Sequence, residues 1–441
     1  MLGFEVIIMI PILIIFLITI VCMILSVIFI PSIKIKKLEF QPYWVICLIG
    51  ALLMIILGFI KLDFLGKELI KDTSVNPIKI LTLFISMTVL SVYLDELGFF
   101  KYLASLAIRK AGNKQFAIFI SLYLITSFLT VFTSNDIIIL TLTPFICYFC
   151  KNAKINPIPY LLSEFVSANT WSMMLIIGNP TNIYLGTMAG ISFFEYVKMM
   201  VLPTVAGGVT SFLLILLIFR KTLKKEMEVV EVDAHLDNKF MLILGLVHLI
   251  ACIILLAISS YVNLEIWIIT LGFALSLIIC TLVYQLITKT KDTIILRTIK
   301  RAPWTLIPFV LSMFVMVLSL TSVNIPEIIN NILNKDNLIL EYGFISFISA
   351  NLLNNIPMSV FFSNCLANAS SSLYYSKAIY ATIISSNIGA FLTPIGALAG
   401  IMWMSILKRN KVNFTFGRFM KYGSIIAIPT LIISLLVLLI V

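Results

Sequence analysis

The chain has 441 residues, 61% of them hydrophobic and only 12% charged, about half the charge of an ordinary globular domain. That composition excludes a soluble fold. A net charge of +11 would suit nucleic acid, but the basic residues fall in short segments between apolar runs, which excludes that partner and leaves the lipid bilayer.

A bilayer core needs about 20 residues of helix to cross it. In chain order such spans are predicted at 5–30, 43–60, 78–94, 157–190, 200–219, 239–258, 264–287, 303–321, 376–407 and 423–441. The first lacks a basic start and an A-x-A cleavage site, so it is expected to be a retained helix rather than a signal peptide. After the third, "LDELGFFKYLA" puts Asp95 and Glu96 at a cytoplasmic helix end, where a solvated role is expected. The apolar stretch 115–150 breaks in its middle at Ser134-Asn135-Asp136. Span 157–190 carries Glu164, then Asn169-Thr170, then Gly178-Asn179-Pro180-Thr181-Asn182. The loop 220–238 is the long charged segment of the chain and reads as a solvated linker. Stretch 338–372 breaks at Asn354-Asn355, with Pro357 following, and span 376–407 carries Asn387 and Thr393-Pro394-Ile395-Gly396.

With the amino terminus outside, 24 of the 31 lysines and arginines lie on the cytoplasmic face, the positive-inside bias. That split requires 115–150 and 338–372 to enter and leave on one side each, as re-entrant hairpins. The expected fold is an all-α polytopic membrane protein of ten spans and two hairpins, both termini outside. Sliding the chain by 218 residues sets "SANTWSMMLIIGNPTNI" on "SSNIGAFLTPIGALAGI", so that Asn169 meets Asn387 and Gly178 meets Gly396. The tips around Asn135 and Asn354-Asn355 obey nearly the same shift. Each half has five spans and a hairpin; five is odd, so the halves run in opposite directions. That is the inverted repeat of many secondary transporters.

A helix in hydrocarbon is broken only where its freed backbone groups line protein or a wet cavity. Gly178 with Pro180, and Thr393-Pro394 with Gly396, are expected to unwind their spans. Freed carbonyls at one half-helix end suit a cation; the N–H end suits an anion or neutral oxyacid. A sodium ion is expected among Ser134, Asn135, Gly178, Asn355 and Gly396. Asp136 at the first tip and Glu164 inside a span are ionisable groups at membrane depth, functional by default; each can bind a cation or carry a proton. The seven cysteines are scattered through apolar segments as packing residues, and His235 and His248 form no metal grouping.

The motifs are similar to those of the ion transporter superfamily from about residue 43 onward, in its arsenite-pump and sodium–proton antiporter branch, which is related to the divalent anion–sodium symporters. "TSNDIIILTLTP" resembles the branch pattern N-D-x-x-x-L-x-L-T-P, "EFVSANTWSMMLIIGNPTN" resembles E-x-x-x-S-N-I-G-G-T-A-T-x-I-G-D-P-P-N, and "NLLNNIP" resembles S-N-L-x-N-N-L-P. "LTPIGALAGIMWMS" is similar to L-T-P-I-G-S-L-A-T-x-x-W. The chain departs at Trp171 and Ser172, where the pattern has two glycines, and at Ala168. It also departs at Asn179 and Thr181, where the pattern has Asp and Pro, and at Ala397 and Gly400. The resemblance implies scaffold helices in 1–97 and 239–335 and two transport-domain halves in 98–219 and 336–441, with 220–238 as the cytoplasmic linker. It also implies a homodimer, elevator-type alternating access, coupling to sodium ions or protons, and no prosthetic cofactor.

The leading expectation is a plasma-membrane carrier for arsenite or antimonite, neutral oxyacids at pH 7 that suit a pocket of amides and hydroxyls. Sodium–proton antiport, and sodium-coupled uptake of a dicarboxylate, citrate or sulfate, are the alternatives; Asp136 disfavours a dianion. A membrane-embedded enzyme lacks its nucleophile-and-base or H-E-x-x-H pattern. No P-loop is present, so ATP would act only through a separate soluble ATPase partner.

Overall fold

The computed structural model of the chain describes residues 2–441 apart from 31–32, 36–37, 72–75, 226, 228–235, 237, 260–261, 263, 291, 334–336 and 368–372. Much of the 220–238 linker with His235, and the end of the second hairpin at 368–372, lie outside the described residues.

Helix α1 (Leu2–Phe29) leads into a small antiparallel pair, β1 (Ile33–Ile35) and β2 (Leu38–Phe40), with Ile33 opposite Phe40. Apart from this short pair and an isolated bridge residue at Lys114, the described chain is helix, turn or irregular chain, in keeping with the all-helical expectation. Then come α2 (Tyr43–Ile56), α3 (Leu62–Ile70), α4 (Pro77–Glu96) and α5 (Phe99–Ala111). The first hairpin is α6 (Gln115–Phe132) and α7 (Asn135–Asn152). The first broken helix is α8 (Ile158–Trp171), a 3₁₀ turn (Ile176–Gly178) and α9 (Pro180–Met188), and α10 (Phe193–Leu223) closes the half. The second half repeats the order: α11 (Lys239–Ile258), α12 (Ile266–Thr288), α13 (Ile294–Arg301), α14 (Leu306–Thr321) and α15 (Ile325–Ile332). Its hairpin is α16 (Leu338–Leu353) and α17 (Asn355–Ala367), its broken helix α18 (Leu373–Gly389) and α19 (Leu398–Arg409), and α20 (Phe416–Ile440) ends the chain.

Among the described residues, eight stretches are long and apolar enough to cross a membrane. They include the hairpin arm α6 and leave out the 14-residue α2 and both broken helices, which fail on length because they are interrupted. That is how the count differs from the ten spans expected. The short helices α3, α5, α13 and α15 were not anticipated.

The packing repeats when the halves are exchanged. Helix α1 lies on α2 as α11 lies on α12, and α2 packs on α14 as α12 packs on α4. The pairs α6–α8 and α8–α10 correspond to α16–α18 and α18–α20. Across the halves, α7 packs on α19 and α17 on α9, while α10 and α20 pack on each other. Helix α4 is enclosed, with 78% of its span buried, whereas α12 has 28% buried and turns Ile268, Leu275, Ile279 and Leu282 outward. Apolar side chains on an outer face are what lipid contact requires.

Asp95 and Glu96 were expected in solvent, and the structure corrects this. Arg301 on α13 reaches back to α4, donating to Asp95 Oδ2 at 2.7 Å and Glu96 Oε1 at 2.6 Å, and Arg297 lies 3.4 Å from Glu96. The Asp95 side chain is only 3% exposed; a carboxylate so enclosed needs a cationic partner. The partner sits some 200 residues away, so the pairing is invisible in local sequence. At the other end of α4, Lys79 pairs with Glu265 at 2.5 Å, and Trp267 Nε1 also donates to Glu265, at 2.8 Å. Helix α4 is thus tied at both ends to the second half. Replacing Arg301 by Ala strands the Asp95 carboxylate. We expect a loss of about 1–3 kcal/mol, kept low by the solvent exposure of the guanidinium, read as a lower melting temperature in detergent.

Candidate functional site

The first broken helix unwinds for local reasons. Pro180 has no N–H to donate, and it pushes the residue before it out of the helical region. Asn179 is accordingly extended (φ −151°, ψ 143°) and caps α9, its side chain accepting from Thr181 N at 3.2 Å and Thr181 Oγ1 at 3.0 Å. Gly178 lies so close to the Ser172 carbonyl oxygen that any Cβ there would collide with backbone. Three of the carbonyls freed by the break are taken by side chains. Asn182 Nδ2 donates to Ser172 O at 2.8 Å and Leu175 O at 3.3 Å, and Tyr196 donates to Met173 O at 3.1 Å. Side chains close the break from within.

Beside it lies the first hairpin tip. Asn135 Nδ2 donates to Asn169 Oδ1 at 3.0 Å, and Asn169 Nδ2 donates to Phe165 O at 2.8 Å, one turn back in its own helix. Thr170 turns its hydroxyl to Val166 O and holds only its own helix. Ser134 Oγ and Asn135 Oδ1 are buried and have no partner. Asp136 is half-buried and, with Ser134, lines a cavity of about 70 Å³ between the tip and the scaffold. Tyr43, Thr88, Arg301 and Thr305 face the same cavity from the other side.

The second half closes differently. Asn354, before α17, holds φ 76° and ψ 152°, a region costing about 1–3 kcal/mol outside glycine. Two bonds hold the tip in place: Asn354 Nδ2 donates to Ile395 O at 2.9 Å, and Asn355 N donates to Gly396 O at 3.0 Å. Gly396 in turn touches the Gly389 carbonyl too closely for a Cβ. Thr393, preceding Pro394, is held by Asn351, whose Oδ1 accepts from Thr393 Oγ1 at 2.7 Å and Thr393 N at 3.1 Å. Pro357 is in the first turn of α17, where its missing N–H leaves no gap. Asn355 Oδ1 is buried without a partner, matching Asn135 Oδ1 in the other half.

Asn387, the repeat mate of Asn169, bonds across the halves instead of to its own tip. Its Nδ2 donates to Asn182 Oδ1 at 2.7 Å and Ile383 O at 2.8 Å; its Oδ1 accepts from Ser172 Oγ at 2.9 Å and Asn179 Nδ2 at 3.1 Å. All its capacity is used. The residue before it, Ser386, donates to Thr181 Oγ1 at 2.7 Å. Glu164 lies apart from both tips, 1% exposed. Thr143 Oγ1 is 3.0 and 3.2 Å from its two oxygens, and Trp403 Nε1 donates to Oε2 at 3.2 Å.

The structure therefore gathers Asn179, Thr181, Asn182 and Asn387 in one network and Asn135 with Asn169 in another. Asn354, Asn355, Thr393 and Gly396 form a third. Ser172, Asn351, Ser386, Trp403 and Thr143 were missed. Each lies inside a motif already singled out, and the signal lay in treating only the break residues as functional. Trp171, where the similar pattern has glycine, is absorbed sideways: its Nε1 donates to Tyr123 at 3.2 Å and its ring lies over Gly208. Among the described residues no His, Cys, Asp or Glu cluster could hold a transition metal.

Removing the Asn387 side chain orphans Asn179 Nδ2 and Asn182 Oδ1 together, while Ser172 keeps Asn169 O. Asn387→Ala is expected to destabilise by about 1–3 kcal/mol, and Gly178→Ala to reduce folded yield, both measured by fluorescence-detected size exclusion and thermal unfolding.

The sequence profile of the citrate transporter family matches residues 14–378. The arsenical pump membrane protein of Escherichia coli (strain K12) is 26% identical over 374 residues, 80% of this chain and 84% of that one. A putative arsenical pump membrane protein of Bacillus subtilis (strain 168) is 25% identical over 413 residues, 86% of this chain and 90% of that one. Among solved structures, Neisseria gonorrhoeae MtrF, presented within a class of antimetabolite efflux pumps, matches with a TM-score of 0.51 at 12% identity, covering 97% of this chain and 94% of that one. That likeness concerns the fold alone.

Proposed function

We propose, on the premise that the chain belongs to the citrate transporter family, that it is a carrier exporting a small neutral oxyacid, arsenite or antimonite, against an ion gradient. That it is a multi-pass membrane transporter of this family is the plain part of the statement; substrate, coupling and motion are our reading. One observation carries it. Ser134 Oγ, Asn135 Oδ1 and Asn355 Oδ1, at the tips of both hairpins, are buried with no partner. A buried polar atom left unpaired costs about 1–3 kcal/mol, so such atoms at corresponding places point to a transported species that completes them. Their neutral oxygens suit a polyhydroxy acid or a sodium ion among Ser134, Asn135 and Asn355.

The cavity beside Asp136, about 70 Å³, has room for a few waters or a small oxyacid. A tricarboxylate does not fit there in this conformation. Asp136 would also repel it, since Arg301 in the same cavity is already engaged by Asp95 and Glu96. A second reading, sodium–proton antiport, draws on the same hydroxyl and amide oxygens together with Asp136, a set of hard ligands.

Access from both sides is consistent with the clefts along α4. One, with Ser134 and Asp136, opens near Thr88 and Val92; a larger one of about 520 Å³ lies near Lys79 and Leu83, against Ile176 and Ile177 of the first break. We read the hairpins and broken helices as the moving part, the pinned α4 and its neighbours as the scaffold, and the two halves as oppositely oriented sets of five crossings. A homodimer and a soluble ATPase partner follow from the resemblance alone.

The test is flux into everted vesicles under an imposed pH gradient, comparing arsenite, sodium and succinate without ATP. We expect arsenite to move and succinate not to. Asp136→Asn is expected to cut arsenite flux at least about tenfold, the equivalent of one interaction of about 1.4 kcal/mol. Sodium flux alone would select antiport, and arsenite flux only with ATP and an added ATPase would exclude ion coupling.

A further inference from the structure

We propose that Glu164 is the group that binds the coupling proton, and that Trp403 and Thr143 hold it in its protonated form. The inference rests on the carrier reading and names its coupling ion. Glu164 lies on α8, 1% exposed, where α7 of its own half meets α19 of the other. Its neighbours are aromatic: Phe165 packs on Trp403 at 5.0 Å, and Trp403 packs on Phe414 and Phe419 at 5.3 and 5.7 Å. Among the described residues it makes no ion pair.

An ionised carboxylate offers about four acceptor positions and no donor. Here it meets one hydroxyl and one indole N–H, both neutral. Neither neutral group offsets a buried charge, so the protonated acid suits the site better. Oε1 lies 3.0 Å from Thr143 Oγ1, a hydroxyl that can accept the acid proton as well as donate, and Oε2 accepts from Trp403 Nε1, which can only donate, at 3.2 Å. The repeat mate of Glu164 is Thr382, whose hydroxyl donates to Ala378 O, so only the first half carries this group. Titratable side chains around it include Cys147 on α7 and Tyr160, one turn back on α8. Tyr422 stands beyond Phe414. Lys408 on α19 and Arg418 and Lys421 on α20 are exposed, and α18 presents Asn387 and Ser386, both already bonded to the first half.

The chemistry is one proton: Glu164 takes it from water on one side, and the O–H bond breaks to release it to water on the other. No other bond changes. Since α7 and α19 close over the group, proton exchange requires them to part, which ties loading to the motion of one half against the other.

The experiment uses the full chain reconstituted in liposomes with arsenite as the probe, and infrared spectroscopy on the same preparation. Wild type should show the carbonyl band of a protonated carboxylic acid at neutral pH, absent from Glu164→Gln and shifted in Trp403→Phe, which keeps an aromatic ring but loses the N–H. Glu164→Gln should also abolish accumulation driven by a pH gradient, about tenfold per unit of gradient and proton, and flatten the pH profile of arsenite exchange. A wild-type band unchanged by both substitutions, or gradient-driven accumulation in Glu164→Gln equal to wild type, overturns the assignment. Failure of wild type to exchange arsenite would refute the substrate reading, and the infrared comparison would still decide Glu164.

Discussion

Everything in this structure depends on one constraint: a backbone polar group freed inside hydrocarbon must find a partner in the protein. The chain breaks two helices and turns two hairpins among buried residues, so it frees many such groups at once. It answers with asparagines. Asn182 takes the carbonyls of Ser172 and Leu175, Asn354 takes that of Ile395, and Asn351 receives the hydroxyl and amide of Thr393. An amide side chain both donates and accepts, and it carries no charge that would have to be desolvated. That explains why the interruptions are rich in Asn rather than in Asp, Glu, Lys or Arg.

The two halves satisfy the same constraint by different routes, and the difference has a functional consequence. The second tip is stapled directly to its own break by two hydrogen bonds and a strained Asn354. The first tip bonds its helix from Asn135 to Asn169, and turns Asp136 to a cavity. Asn387 leaves its own tip and closes the first break instead, bonding the halves to each other. The repeat is thus symmetric in helix packing and asymmetric in polar chemistry. Asn179 contributes to this: its Nδ2 donates to Asn387 Oδ1, a bond that the aspartate of the similar motif could not make without a proton.

Much of this was legible beforehand because Gly, Pro and Asn in an apolar run have few structural meanings. The breaks at Gly178–Pro180 and Pro394–Gly396, and the tips at Ser134–Asp136 and Asn354–Asn355, fall where local chemistry put them. What the sequence did not disclose is pairing across long separations. Arg301 meets Asp95 and Glu96 from the other half, Trp403 meets Glu164, and Asn387 crosses over; each needs the tertiary fold to bring its partner near. Asp95 reads as solvated because it stands at a cytoplasmic helix end. The small helices α3, α5, α13 and α15 were missed because runs of 8–13 residues are too short for a span-length search.

The central claim is that both hairpin tips and both helix breaks lie within the hydrocarbon layer. A cryo-electron microscopy map of the chain in a lipid nanodisc, with the bilayer visible, measures this directly. The account predicts Ser134–Asp136 and Asn354–Asn355 inside the hydrocarbon slab, each against an unwound segment. A tip at the headgroups, or continuous helix through 172–179 or 390–397, would contradict it.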